Sequence, residues 1–234
     1  MHFDSVVAFG DSHVAGCEII DGLITQPSAN WRENRKDFVH SDQLTKPLAF
    51  PNLVAQRLNI PCHNYAMSGA SNQRNLRILT SVIEQHPNSL VLYGYTSSVR
   101  TEFYMPNNDK FLMQDGDFAQ FMPQLLSTYY DEQDDLYQMF YMHFYHYRNT
   151  LAEYMFCVDS ICQTHAAAYV HIPLFPEVST AAISTSIKHI LQYENADNYL
   201  DWCKAKKFTP KLFLHYGQEA HDAMAKLILQ QISA

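Results

Sequence analysis

Short apolar runs alternate with helical spacings in the first part of this 234-residue chain. Residues 5–9, 62–66 and 90–94 are predicted strands, and each ends in turn-forming residues. Between them, apolar positions recur at helical spacing over 50–58 and 71–86. Strands and helices that alternate in this way form a parallel sheet that helices cover on both faces. The pattern therefore predicts an α/β fold.

The rest of the chain is predicted to add an insertion and the last elements of the same domain. Turn residues without clear periodicity come first, and a long amphipathic helix with an aromatic face follows from about 134 to 164. Together they indicate an insertion at about 101–165. Further predicted elements are a strand at 168–172, helical pieces at 187–202 and a terminal helix at 218–232. Because neither a linker nor a repeat is visible, one domain over 1–234 is the simpler prediction.

Composition and charge disfavour several classes of protein. With 47% hydrophobic and 17% charged residues, the chain can bury a full core and is not disordered or collagen-like. The net charge is -8 and no run of Lys and Arg exists, which argues against a nucleic-acid partner. No apolar stretch could cross a membrane, and no signal peptide is visible. The 5 scattered cysteines suggest neither a disulfide framework nor a zinc site, so we expect a cytoplasmic protein.

The clearest chemical signal is Gly10-Asp11-Ser12, directly after the first predicted strand. A serine where a strand turns into a helix lies in the ligand crevice of a parallel sheet, among backbone N–H groups. The surrounding residues are not G-x-S-x-G, because Val14 stands at the second glycine, and they lack the Gly-Lys of a phosphate-binding loop. A nucleotide-binding domain is therefore disfavoured. Ser12 alone could be a helix N-cap or a nucleophile.

This block resembles the opening motif of the GDSL/SGNH hydrolases, whose nucleophile matches Ser12. Residues 64–72 are similar to the family's second block, in which Gly69 matches the glycine whose N–H lines the oxyanion hole. Residues 215–225 are similar to the last block, and His215 matches the catalytic histidine. The resemblance implies a flavodoxin-like three-layer α/β/α sandwich with a parallel sheet and a helical insertion. It also implies a Ser-His acyl-enzyme mechanism that needs no metal or organic cofactor.

The third block departs from the family's G-x-N-D pattern. Thr96 stands in the place of the Asn, within residues 94–103, which resemble a divergent branch of bacterial and tailed-phage proteins. A threonine hydroxyl can donate one hydrogen bond, and the amide of Asn72 is a further donor on the neighbouring loop. The candidate oxyanion hole consists of Ser12, Gly69, Asn72 and Thr96.

The last block departs from the family's pattern at the position of the catalytic aspartate. The family's aspartate lies three residues before its histidine, and Leu212 holds that position here. No carboxylate occurs between Lys204 and Leu214. His215 is therefore oriented by a backbone carbonyl or by a distant acid, or else the site is a dyad.

Three more residues are predicted to contact the substrate, because they lie next to the carboxyl ends of predicted strands. They are Asp11, Tyr95 and Arg100. For Arg100, a surface ion pair with Glu102 is the other interpretation.

Two functions stay open at this point. One is a serine esterase or deacylase acting on a small-molecule, carbohydrate or lipid ester, such as an O-acetyl or short-chain acyl ester. The other is a non-catalytic binding or structural protein of the same fold, motivated by the departures at Thr96 and Leu212. The aromatic helix is interpreted as core or as the face of a homo-oligomer. His143 and His146 are interpreted as core or surface residues and not as a metal pair, because no carboxylate pattern accompanies them.

Overall fold

The computed structural model describes residues 2–20, 42–97, 100–104, 113–115, 118–121, 150–176, 189–211 and 215–233. In chain order, its strands and α-helices are β1 (Ser5–Phe9), α1 (Ser12–Ala15), α2 (Phe50–Leu58), β2 (Cys62–Asn64), α3 (Asn72–Val82), β3 (Ser89–Tyr95), β4 (Thr101–Tyr104), β5 (Met113–Asp115), β6 (Phe118–Phe121), α4 (Thr150–Thr164), β7 (Ala168–Pro173), α5 (Tyr199–Ala205) and α6 (Gln218–Ile232). Short 3-10 turns lie at Lys46–Leu48 and Ile83–Gln85.

The main sheet is parallel, with its strands in the order β2-β1-β3-β7. Val7 in β1 is opposite His63 of β2 on one side and Val91 of β3 on the other. Val91 in turn is opposite Tyr169 of β7. Strands β1 and β3 are buried along their whole length, which explains their continuous apolar sequence. This strand order is that of a flavodoxin-like doubly wound sheet, so the predicted fold class is confirmed.

Helices cover both faces of the sheet. Side chains of a strand alternate between the two faces, so Val6 and Ala8 contribute to the cluster that contains α2, α5 and α6. Val7 and Phe9 contribute to the cluster that contains α3 and α4. The carboxyl ends of the four strands therefore meet at one edge, between two helical layers. In such sheets this edge is where ligands bind.

The segment predicted as an insertion differs from its prediction. It begins with an antiparallel sheet in the order β4-β6-β5, and not with irregular structure or helix. Helix α4 is the second half of the predicted aromatic helix. The first half, with His143 and His146, lies outside the described residues. The insertion thus contains strands as well as helix, and the single-domain interpretation stays a prediction.

Two further predictions are corrected in detail. Strand β2 ends at Asn64, and the chain continues beside β1, where the Tyr65 N–H donates to the Ala8 carbonyl, before it turns at residues 68–69. Residues 189–198 are bridges and turns and not helix, since the chain at Ile190 pairs with His171 of β7. Helix α5 starts only after Asn198, whose side chain accepts the N–H of Asp201 as an N-cap. The predicted terminal helix is confirmed as α6. Among the described helices, none has the length and apolar character that a membrane span requires.

Candidate active site

Ser12 lies at the sharp turn between β1 and α1. Asp11 is the N-cap of α1, and its carboxylate accepts the N–H of His13 at 3.0 Å. Val14 packs so closely on Gly94 that a Cβ on that glycine would lie 2.5 Å from the Val14 Cγ2 atom. The one-turn helix then ends at Gly16, which has the left-handed φ of 82° that glycine adopts at no steric cost. These constraints fix the Ser12 backbone at the carboxyl end of β1.

His215 comes to Ser12 from the other end of the chain. It precedes α6, and its Nε2 atom lies 2.7 Å from Ser12 Oγ. Its Nδ1 atom lies 2.8 Å from Glu18 Oε2. Ser12, His215 and Glu18 therefore form a continuous chain of hydrogen bonds, and each is less than a tenth exposed.

Glu18 is the residue that sequence reasoning missed. It follows α1 by three positions and has a left-handed φ of 64°, a costly conformation for a residue with a side chain. That turn carries its carboxylate back toward His215. An ionised carboxylate only accepts hydrogen bonds, so the His215 proton lies on Nδ1 and Nε2 is left to accept the Ser12 hydroxyl. The only sequence signal for Glu18 was its place close behind the Gly-Asp-Ser block.

His13 packs against this chain of hydrogen bonds. Its ring centroid lies 4.7 Å from that of His215, and Phe175 and Tyr199 make edge contacts with it. Burial lowers the pKa of His13 to about 3, and the nearby His215 acts in the same direction. His13 is therefore neutral at physiological pH and adds no charge beside His215.

The backbone N–H groups of Ser12 and Gly69 are the two main-chain donors of the predicted oxyanion hole. In the part of the chain that the structure describes, neither the Ser12 N–H nor the Gly69 N–H donates to a protein acceptor. Gly69 has a φ of 80° in the turn from Met67 to Ala70, which the Ala70 N–H closes on the Met67 carbonyl at 2.9 Å. This is the third position of a type II turn, where glycine is favoured.

Asn72 and Thr96 are brought together, but they are not equivalent as donors. The Asn72 side chain donates to the Thr96 carbonyl at 3.1 Å and accepts the Thr96 N–H at 3.0 Å. The Asn72 amide is thereby fixed, with its second N–H hydrogen unused among the described contacts. The Thr96 hydroxyl donates to Asp11 at 2.8 Å. Its single hydrogen is used there, which corrects the prediction that Thr96 donates to an oxyanion.

Asp11 and Arg100 form an ion pair beneath the serine turn. Arg100 Nη1 lies 2.6 Å from Asp11 Oδ2, and Asp11 is fully buried. Burial raises the pKa of Asp11, but the Arg100 charge and the bonds from Thr96 and His13 outweigh it, so this pKa lies below 3.8. With its oxygens bonded inside the protein, Asp11 holds the turn and does not face a substrate, contrary to the prediction. Arg100 is 13% exposed in its side chain and lies 5.3 Å from the Phe175 ring centroid, so its predicted substrate role stays open.

Tyr95 is placed away from the site. It is fully buried, and its hydroxyl lies 2.8 Å from Nδ1 of His171, whose Nε2 lies 2.6 Å from Asp159. The prediction that Tyr95 contacts substrate is therefore corrected. Because side chains alternate along β3, Tyr95 faces the layer of α3 and α4.

Two more residues lie in or just before the last sequence block. His221 in α6 accepts the Phe50 N–H through Nδ1 at 3.2 Å, which is a structural contact. Leu212, which stands in the place of the family's aspartate, lies outside the described residues. Within the described ranges, no three His, Cys, Asp or Glu side chains group as metal ligands.

Neither a protein-family model nor a curated protein matches this sequence. Solved structures are similar to it, and three of them are as follows. A carbohydrate esterase whose active site has divergent catalytic and non-catalytic binding functions shares 11% identity over 100% of this chain and 69% of its own, with a TM-score of 0.48. A protein of the G-D-S-L family from Desulfitobacterium hafniense, described as lipolytic, shares 12% identity over 97% and 98%, with a TM-score of 0.43. A carbohydrate esterase family 2 enzyme with a carbohydrate-binding domain, from Corynascus thermopiles, shares 12% identity over 98% and 65%, with a TM-score of 0.49. Two of these structures are carbohydrate esterases, and the third is of the G-D-S-L family, the family that the sequence blocks of this chain resemble.

Proposed function

We propose that this protein is a serine esterase or deacylase in which Ser12 is the nucleophile, His215 the general base and Glu18 the acid that orients the histidine. The observation that carries the proposal is the hydrogen-bonded chain of these three side chains, at 2.7 Å and 2.8 Å. A nucleophile within hydrogen-bond reach of a base, which a third group orients, is the geometry that acyl transfer requires. Glu18 is also a distant acid, one of the alternatives left open because Leu212 stands where the family has an aspartate.

The reaction proceeds in two halves. Ser12 Oγ attacks the ester carbonyl carbon while its proton moves to His215 Nε2, and the carbonyl oxygen becomes an oxyanion. When the intermediate collapses, the ester C–O bond breaks and His215 returns the proton to the leaving alcohol. Water then attacks the acyl carbon and gives a proton to His215. The bond from the acyl carbon to Ser12 Oγ breaks, His215 returns the proton to Ser12 Oγ, and the acid leaves.

The oxyanion is held by donors that are already in place. The N–H groups of Ser12 and Gly69 have no other acceptor among the described residues, and the Asn72 amide has one hydrogen left. Donors fixed before the reaction need no rearrangement when the negative charge develops. We assign the oxyanion hole to Ser12, Gly69 and Asn72, without the Thr96 hydroxyl.

The test is hydrolysis of p-nitrophenyl acetate by the wild type and by Ser12→Ala and His215→Ala. Removing the nucleophile or base of a serine hydrolase costs on the order of 10⁶-fold in kcat, so both variants should fall to background. Ser81→Ala, at an exposed serine of α3, is the matched control and should match the wild type. A fluorophosphonate should label Ser12 in the wild type only. If the wild type is inert to both reagents, the esterase proposal is wrong and the non-catalytic binding protein becomes the better hypothesis.

A further inference from the structure

The loop that carries the Gly69 N–H is held by a second acid. Ser68, directly before Gly69, donates its backbone N–H to Asp42 Oδ2 at 2.7 Å and its hydroxyl to Asp42 Oδ1 at 2.6 Å. Both oxygens of one carboxylate thus bind one residue, so Ser68, the residue before Gly69, is held by its backbone N–H and by its side-chain hydroxyl. Ser68 is 2% exposed and Asp42 is 4% exposed, which keeps water from competing for these bonds.

Asp42 is itself anchored to the helix of the serine. It lies in a stretch that is helical over residues 42–45, and Thr45 in that stretch donates its hydroxyl to the Ala15 carbonyl at 3.2 Å. Ala15 is the last residue of α1, the helix that Ser12 begins. The stretch therefore connects the backbone that carries the nucleophile to the loop that carries a second oxyanion donor.

Burying the Asp42 carboxylate costs free energy. Burial raises the pKa of Asp42, while the bonds from Ser68 and the charge of Lys46 act against that rise. Cys17 packs in the same place, with a thiol pKa that burial, Asp42 and Glu18 all raise. Burying a carboxylate is a poor way to stabilise a fold, so the place of Asp42 beside the oxyanion loop calls for a different explanation.

We propose that Asp42 is a positioning residue that sets the place of the Gly69 N–H in the oxyanion hole by clamping Ser68. The inference rests on the proposed function, because it concerns the same site. The Gly69 N–H belongs to the peptide that joins Ser68 to Gly69, so a displacement of Ser68 in this turn displaces that N–H. The clamp therefore acts on the geometry of transition-state binding. Substrate binding in the ground state depends much less on the position of the Gly69 N–H.

The experiment compares Asp42→Ala with Asp42→Asn, using p-nitrophenyl acetate and fluorophosphonate titration of the active sites. Alanine removes both acceptors. Asparagine keeps two contacts, because its oxygen accepts the Ser68 N–H and its amide donates to the Ser68 hydroxyl oxygen. Loss of a whole oxyanion donor costs about 10²–10³-fold in kcat, so misplacing one should lower kcat per labelled site by ~10–100-fold in Asp42→Ala, with KM within about twofold. Asp42→Asn should keep most of the wild-type kcat.

Two further variants complete the test. Ser68→Ala loses only the hydroxyl contact and should lose ~3–10-fold in kcat, which tests the clamp even if Asp42→Ala fails to fold. Asp4→Asn, at an exposed aspartate, should have no effect. The inference is overturned if kcat per labelled site is unchanged in Asp42→Ala and Ser68→Ala, or if Asp42→Asn loses as much as Asp42→Ala. An inert wild type would instead overturn the proposed function, and this inference with it.

Discussion

Replacing Glu18 by Gln isolates the charge of the acid that orients His215. Glutamine has the same length and shape, so the packing of this nearly buried side chain is kept while its negative charge is lost. In the transition state His215 becomes an imidazolium ion, whose Nδ1 atom lies 2.8 Å from the carboxylate. Two unit charges separated by ~4 Å at an effective dielectric constant of ~20 attract by about 4 kcal/mol. That energy corresponds to a loss of ~10³-fold in kcat.

The assay is steady-state hydrolysis of p-nitrophenyl acetate, with thermal unfolding as the check on folding. We expect kcat to fall by ~10³-fold with little change in KM, because the interaction strengthens only when His215 is protonated. The strongly downfield proton resonance of the His215 Nδ1–H should also be lost. Glu153→Gln, at an exposed glutamate of α4, is the matched control and should behave as the wild type. If Glu18→Gln keeps kcat within about threefold of the wild type while Ser12→Ala is inert, the acid has no part in the chemistry and the site works as a dyad.

The remaining predictions concern stability and reactivity. Asp11→Asn leaves the Arg100 guanidinium without its buried, charged partner. The free energy of unfolding, measured in urea, should therefore fall by about 3 kcal/mol. A variant as stable as the wild type would contradict this expectation. Burial lowers the pKa of both His13 and His221 from 6.5 to about 3. Between pH 6.5 and about 3 these two side chains therefore bind up to two more protons in the unfolded state than in the folded state, and the free energy of unfolding should fall by up to ~2.7 kcal/mol for each unit by which the pH is lowered. Urea titrations at several pH values should show this slope, and His221→Gln should halve it. Among the cysteines, Cys157 is exposed, whereas burial raises the thiol pKa of the other four. An aromatic disulfide reagent should therefore modify Cys157 first in the native protein, which peptide mapping can check.

The strands and helices of the sheet could be predicted from local sequence. Residues 5–9 and 50–58 are a strand and a helix with the predicted bounds, because each pattern of apolar residues matches one period of side-chain burial. The terminal helix at 218–232 follows the same logic. The prediction failed at 189–198, where pairing with β7 and a cap at Asn198 override a helical pattern.

The candidate site could be predicted only in part. Ser12 and His215 stand in sequence blocks that identify them, and the structure brings them to 2.7 Å. Tyr95 ends β3 and Thr96 follows it directly, but the Thr96 hydroxyl donates inward to Asp11 and the Tyr95 hydroxyl pairs with His171. Which way a side chain points at the end of a strand depends on the pleat and on its partners, and neither is written in a short motif.

The sequence by itself determined the alternation of strand and helix, the parallel sheet and the two ends of a nucleophile-base pair. Those features depend on local periodicity and on short motifs. Only the tertiary structure decided that Glu18 contacts His215 and that Asp42 binds Ser68, since these contacts span 197 and 26 positions of the chain. The missing aspartate required an acid from elsewhere, but a carboxylate that reaches its partner through a left-handed turn leaves no periodic signal. Its position is fixed by how the two ends of the chain pack across the same edge of the sheet.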